Sequence, residues 1–157
     1  MLAKPFKLFV TLFAIGSAFA ACTSNVVFDS NQSLPAEGWP QSRKVVFEVK
    51  ITDTLSLHNL YVNVRNTTSY PNSNLFLFLD ITFPDGQSVR DTLECIIADA
   101  SGRWTGRGGG KIKSNRFLFR TDVWFPRTGI YSFSFRQAMR TQTLEGIYDI
   151  GIAVERK

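Results

Sequence analysis

The chain has 157 residues, 44% of them hydrophobic and 13% aromatic, and a formal net charge of +5. That length supplies one domain with a full core, and the charge excess is too mild for a nucleic-acid-binding protein, which clusters Lys and Arg on one face. One histidine and two cysteines leave little from which to build a zinc site, a catalytic triad or a disulfide framework.

The N-terminus comes first in chain order. Lys4 and Lys7 precede an apolar run from Leu8 to Ala21, and Ala18-Phe19-Ala20-Ala21 leads into Cys22. The run is too short for a comfortable membrane span, which takes roughly 20 apolar residues. A basic start, a compact apolar stretch and small residues before a cysteine are the layout of a bacterial lipoprotein signal peptide. Residues 1–21 are therefore expected to be removed. Cys22 is expected to become the first residue of the mature chain, its thiol converted to a diacylglyceryl thioether and its amino group acylated. The plainer reading is an ordinary signal peptide and a free Cys22. Thr23-Ser24-Asn25 carries no charge, so the acid-rich run that can act as a surface-export address is absent. That points to a lipid anchor on an envelope membrane leaflet facing the periplasm. Loss of Lys4 and Lys7 leaves 16 basic and 13 acidic side chains, a balance of +3.

Residues 22–42 read as the lipidated N-terminus and a tether. Val26-Val27-Phe28 suits a short strand, and the turn-rich stretch from Asn31 to Pro40 suits a linker or irregular arm carrying Trp39. From residue 43 to 157 the pattern alternates with period two. Val45, Phe47, Val49 and Ile51 share one face, as do Leu60, Val62 and Val64. Leu75, Leu77, Leu79, Ile81 and Phe83 follow, then the turn Pro84-Asp85-Gly86-Gln87 and a return strand from Val89 to Ile97, the clearest hairpin signal in the chain. A Gly-rich excursion runs from Asp99 to Lys113. Further strands are expected over 116–125, over 129–136 with Tyr131, Phe133 and Phe135 inward, and over 146–155 with Tyr148, Ile150, Ile152 and Val154 inward. One helical turn fits between Arg136 and Thr143. About seven or eight strands with turns between them and no long helical period predict an all-β fold, an antiparallel β-sandwich.

The chemistry-bearing residues are few. Cys95 lies in an apolar strand, as a buried and inert thiol does. His58 stands at a strand entrance and reads as a turn or strand-edge residue. Asp80, Asp85, Asp91, Glu94 and Asp99 include no pair that spacing alone sets face to face. Gly106 to Gly110 with Lys111 lacks the spacing of a phosphate loop, and no helix follows. Neither catalytic residues nor cofactor or metal ligands are therefore assigned, and no enzyme is expected. The candidate partner-contact loop is Arg103, Trp104 and Arg107, a planar cation and an aromatic of the kinds enriched at interface hot spots. The other reading of Trp104 is a plug for the end of the sandwich. Trp39, Trp104 and Trp124 leave carbohydrate binding or processing as the alternative function. Asp53-Thr54-Leu55 and Asp91-Thr92-Leu93 resemble short bacterial O-glycosylation patterns.

Several blocks together resemble the GldH family of gliding motility lipoproteins. They are Tyr61-Val62-Asn63-Val64-Arg65-Asn66 through Pro71, Asn74 to Phe78, Phe83 to Gly86, Asp91 to Cys95, Ala98 to Trp104, and Leu144 to Ile152. The resemblance covers essentially the whole chain, including the signal. It implies a cell-envelope lipoprotein needed for gliding, anchored in a membrane through Cys22. Its implied partners are other envelope proteins of the gliding and secretion machinery, with no nucleic acid among them. No catalytic residues come with it.

Overall fold

The computed structural model describes residues 25–157, so the signal peptide and Cys22 lie outside the described residues. Every regular element described is a strand: β1 (Val26–Ser33), β2 (Trp39–Pro40), β3 (Val45–Ile51), β4 (Leu57–Thr67), β5 (Asn74–Thr82), β6 (Ser88–Ile96), β7 (Ile112–Trp124), β8 (Gly129–Gln137), β9 (Thr143–Leu144) and β10 (Ile147–Arg156). Two four-stranded antiparallel sheets, ordered β1-β10-β4-β7 and β3-β8-β5-β6, pack over one core, and β2 with β9 forms a separate ribbon. The predicted β-sandwich is borne out. Among the described residues no helix is long and apolar enough to cross a membrane.

Alternation explains the packing. Val45, Phe47, Val49 and Ile51 of β3 are all buried, as are Leu60, Val62 and Val64 of β4 and Leu75, Leu77 and Leu79 of β5. Phe47 meets Phe135 edge to face at 6.0 Å and Phe28 at 6.4 Å, tying β1, β3 and β8 together. Each such side chain stabilises the fold by about 1.5–3 kcal/mol through burial. The expected hairpin of β5 and β6 forms, with Ile81 opposite Val89 and Gly86 at φ 85° closing the turn.

Four expectations change. Residues 26–40 belong to the folded domain: β1 pairs with β10 along its length, and Trp39 is fully buried with Nε1 donating to the Arg43 carbonyl at 2.9 Å. The polar run Asp29 to Ser33 hid the strand, because an edge strand is specified by its backbone partner more than by an apolar face. Tyr148 is exposed and Ile147 takes its place in the core. The reason is a bulge, in which Ile147 and Asp149 oppose neighbours Asn66 and Arg65, leaving Tyr148 as the extra residue. Residues 138–142 form bends and no helical turn, with Gln137 Nε2 donating to the Thr141 carbonyl.

His58 is the fourth. It is fully buried in β4, edge-on to Phe125 at 5.2 Å, with neither ring nitrogen hydrogen-bonded among the described residues. An unpaired buried polar group costs about 1–3 kcal/mol, more than the roughly 0.5–1.5 kcal/mol of an edge-to-face contact. His58→Leu is therefore expected to leave stability unchanged or to raise it in denaturant titrations. A loss above about 2 kcal/mol would contradict this account. Trp39→Ala, in the stretch read as a linker, is expected to cost about 3–5 kcal/mol; a variant as stable as the parent would return residues 34–40 to the status of an arm.

Candidate functional site

The outward face of the first sheet is a connected polar surface. Inward Ile150, Ile152 and Val154 leave Asp149, Gly151 and Ala153 of β10 facing out, yet all three are buried. Their neighbours lie across them. A Cβ at Gly151 would stand 2.5 Å from the Ser30 carbonyl oxygen and closer still to the Asn31 side chain, so only glycine admits this crossing. Asn31 Nδ2 donates to Asp149 at 3.0 Å, and Asn63 Nδ2 donates to Asp29 at 3.0 Å. Arg65 Nε donates to Asp149 Oδ2 at 2.7 Å, which raises the guanidinium pKa further. Arg116 donates to Glu155 at 2.6 Å and stacks over the Tyr61 ring at 4.3 Å.

The excursion between β6 and β7 overhangs this face. It is tied back rather than hanging free. Asp99 Oδ1 accepts from the backbone of Ser101 at 2.9 Å and of Arg103 at 3.0 Å, and its carboxyl is held below its ordinary pKa, chiefly by the Ser101 hydroxyl. Thr105 N–H donates to the Ile97 carbonyl at 2.9 Å. Arg107 and Ser114 exchange backbone hydrogen bonds at 2.9 and 2.8 Å. Behind the loop, the buried Asn115 donates to Asn66 at 3.0 Å.

The three sequence candidates part company. Arg103 is 83% exposed and pairs with Asp99 at 3.0 Å. Trp104 packs against the core, as the plug reading expects. Arg107 has no ion-pair partner among the described residues and lines an open groove of about 750 Å³ with Asn31, Arg65, Thr105 and Arg116. Arg65 and Arg116 are 51 positions apart in sequence and come together only through the pairing of β4 with β7. Their signal was there in the outward half of the alternation in β4 and β7.

Groups able to do chemistry are withheld or already engaged. Cys95 is fully buried, and burial pushes its thiol up to about 12. Asp80 pairs with Arg90, Asp85 with Arg127, and Asp91 with Arg120, while Glu94 accepts from Asn74 at 2.7 Å. Among the described residues no three His, Cys, Asp or Glu side chains stand where they could hold a metal ion. The tryptophans do not form one platform either. Trp39 is in the core, Trp104 is against it, and Trp124 lies beside Leu57. Of the two threonines in the glycosylation-like patterns, Thr92 is exposed on β6 and Thr54 is half-buried.

Comparison with known proteins agrees with the resemblance. The family model for the GldH lipoprotein matches residues 26–154. A gliding motility lipoprotein GldH homolog of Christiangramia forsetii is 35% identical, covering 96% of each chain. The gliding motility lipoprotein GldH of Flavobacterium johnsoniae is 34% identical, covering 87% of this chain and 89% of its own. The match begins at the first residue of β1 and ends two residues short of the end of β10, spanning both sheets, and the chain belongs to the GldH lipoprotein family.

Proposed function

We propose that this chain is a non-enzymatic, lipid-anchored component of gliding-motility machinery. It is held at Cys22 on an envelope membrane, faces the periplasm, and docks other envelope proteins through Arg107 and the groove beside it. Support for gliding comes from the relatives, both of which bear the gliding motility name. Support for the anchor comes from the lipoprotein layout before Cys22.

The observation that carries the docking reading is Arg107. It is an exposed guanidinium with no carboxylate partner among the described residues, set beside Arg65 and Arg116 whose charges are largely met by Asp149, Asp29 and Glu155. A cation left unpaired on a well-pinned loop suits a carboxylate-bearing protein surface, since arginine offers a planar fork of donors. The loop also stands at the far end of the domain from Asn25. Ile112 opposes Thr67 at one end of β4, while Leu57 opposes Trp124 at the other. The ten residues of β10 span about 33 Å between these ends.

Arg107→Glu is expected to leave thermal stability unchanged, because among the described residues the side chain makes no ion pair or hydrogen bond. A photocrosslinker at residue 107 should give a discrete protein adduct in the native envelope, and Arg107→Glu should lower gliding at unchanged protein level. Normal gliding with no adduct would remove the docking role. Cys22→Ser is expected to abolish incorporation of a palmitate analogue; equal label in both proteins would rule out lipidation there.

A further inference from the structure

The chain enters the sandwich at the end where β10 finishes. Val26 opposes Glu155, and the Arg156 N–H donates to the Asn25 carbonyl at 2.7 Å, so the chain enters the domain beside the end of β10. Asn25 is three steps along the chain from Cys22, with only Thr23 and Ser24 between them. Those steps span at most about 11 Å when fully extended. A leaflet's headgroup layer is itself about 5–7 Å thick. A lipid on Cys22 therefore holds this end of the domain at the membrane surface.

What stands there is apolar and exposed. Leu55 is 92% exposed, Trp124 60% and Leu57 42%. The three are contiguous: Leu57 opposes Trp124, and the Trp124 ring N–H donates to the Thr54 carbonyl at 2.7 Å, next to Leu55. That hydrogen bond matters, because the indole can enter an apolar boundary without stranding its donor. The loop carrying Leu55 is rigid. Asp53 accepts the Leu55 N–H at 2.9 Å, the Ser56 N–H at 3.1 Å and the Ser56 hydroxyl at 2.7 Å. These bonds, led by the Ser56 hydroxyl, lower the Asp53 pKa to about 2, so the turn keeps its carboxylate. Two of the cations at this end are paired, Arg156 with Asp53 at 3.1 Å and Lys157 with Asp122 at 2.6 Å.

We infer that Leu55, Leu57 and Trp124 form a lipid-inserting tip that seats in the headgroup and upper acyl region of the leaflet holding the anchor. The tip rests on the reading of Cys22 as the anchor. Its seating comes from buried apolar area, so it needs apolar depth and no anionic headgroups. A tryptophan at this level is in keeping with the interfacial preference of its ring.

The test uses the chain beginning at Cys22, coupled through its thiol to a maleimide-bearing phospholipid in phosphatidylcholine vesicles with brominated acyl chains. The buried Cys95 does not compete. Bromolipid should quench a fluorescence component that Trp124→Phe removes, since Trp39 is buried in the core and Trp104 is at the far end. Leu55→Asp with Leu57→Asp should cut that quenching at least ~5-fold, because the new charges hold the tip out of the acyl region. Adding phosphatidylglycerol should change nothing. No Trp124 quenching, or quenching only with phosphatidylglycerol, overturns the tip. The anchor is read separately, by intact mass of Cys22-bearing protein from the native envelope. A missing acyl mass overturns the anchor, whereas the coupled vesicles report on the tip with the anchor supplied.

Discussion

The hydrogen bonds between β1 and β10 close one edge of the first sheet and set where the chain enters the domain. Without them residues 26–40 would be slack chain, and a lipid on Cys22 would hold a sandwich on a leash of some twenty residues. With them, folded structure starts at Val26, four residues after Cys22. Other features depend on that pairing. Asn31 crosses Gly151 to reach Asp149, Gln32 reaches over to the Val46 carbonyl of the second sheet at 2.6 Å, and Phe28 meets Phe47. One edge strand thus joins the outer polar face, the opposite sheet and the core.

Stability and specificity come from different places. The core is one cluster of alternating aliphatic and aromatic residues, and it supplies most of the favourable free energy at about 25 cal/mol for each Å² buried. Most of the ion pairs are at least partly exposed, and such pairs contribute about 0–1 kcal/mol each. Their effect is geometric. Asp149, 1% exposed, fixes Arg65 and Asn31 together, and Asp91 with Arg120 spans the open edge between β6 and β7. The polar face is thereby held in one arrangement beside Arg107.

Period-two alternation was enough to find seven strands, because each turns alternate apolar side chains towards the core. It failed where something other than a dry face decides the structure. β1 is an edge strand with polar outward residues, and its place is fixed by its partner. A single bulge shifted the phase of β10 and exchanged Tyr148 for Ile147. His58 looked like an entrance residue because its neighbours in sequence are polar, while its burial comes from strands on either side. The Gly and Arg excursion is a loop between β6 and β7, and Arg103, Trp104 and Arg107 sit in three different settings on it. Arg65 and Arg116, and the tip of Leu55 with Trp124, depend on pairs far apart in sequence. Trp124 and Thr54 are 70 residues apart, and no local pattern brings them together.

In the proposed arrangement a short spacer and an apolar tip stand the sandwich upright on its leaflet, with Arg107 directed away from lipid. Neutron reflectometry of the lipid-coupled chain on a supported bilayer measures this directly. The upright arrangement predicts a protein layer at least ~33 Å thick, the length of a ten-residue strand, in contact with the headgroups and with no intervening water layer. A layer of about 20–25 Å, the thickness of two stacked sheets with their side chains, or a protein layer separated from the headgroups by water, would contradict it.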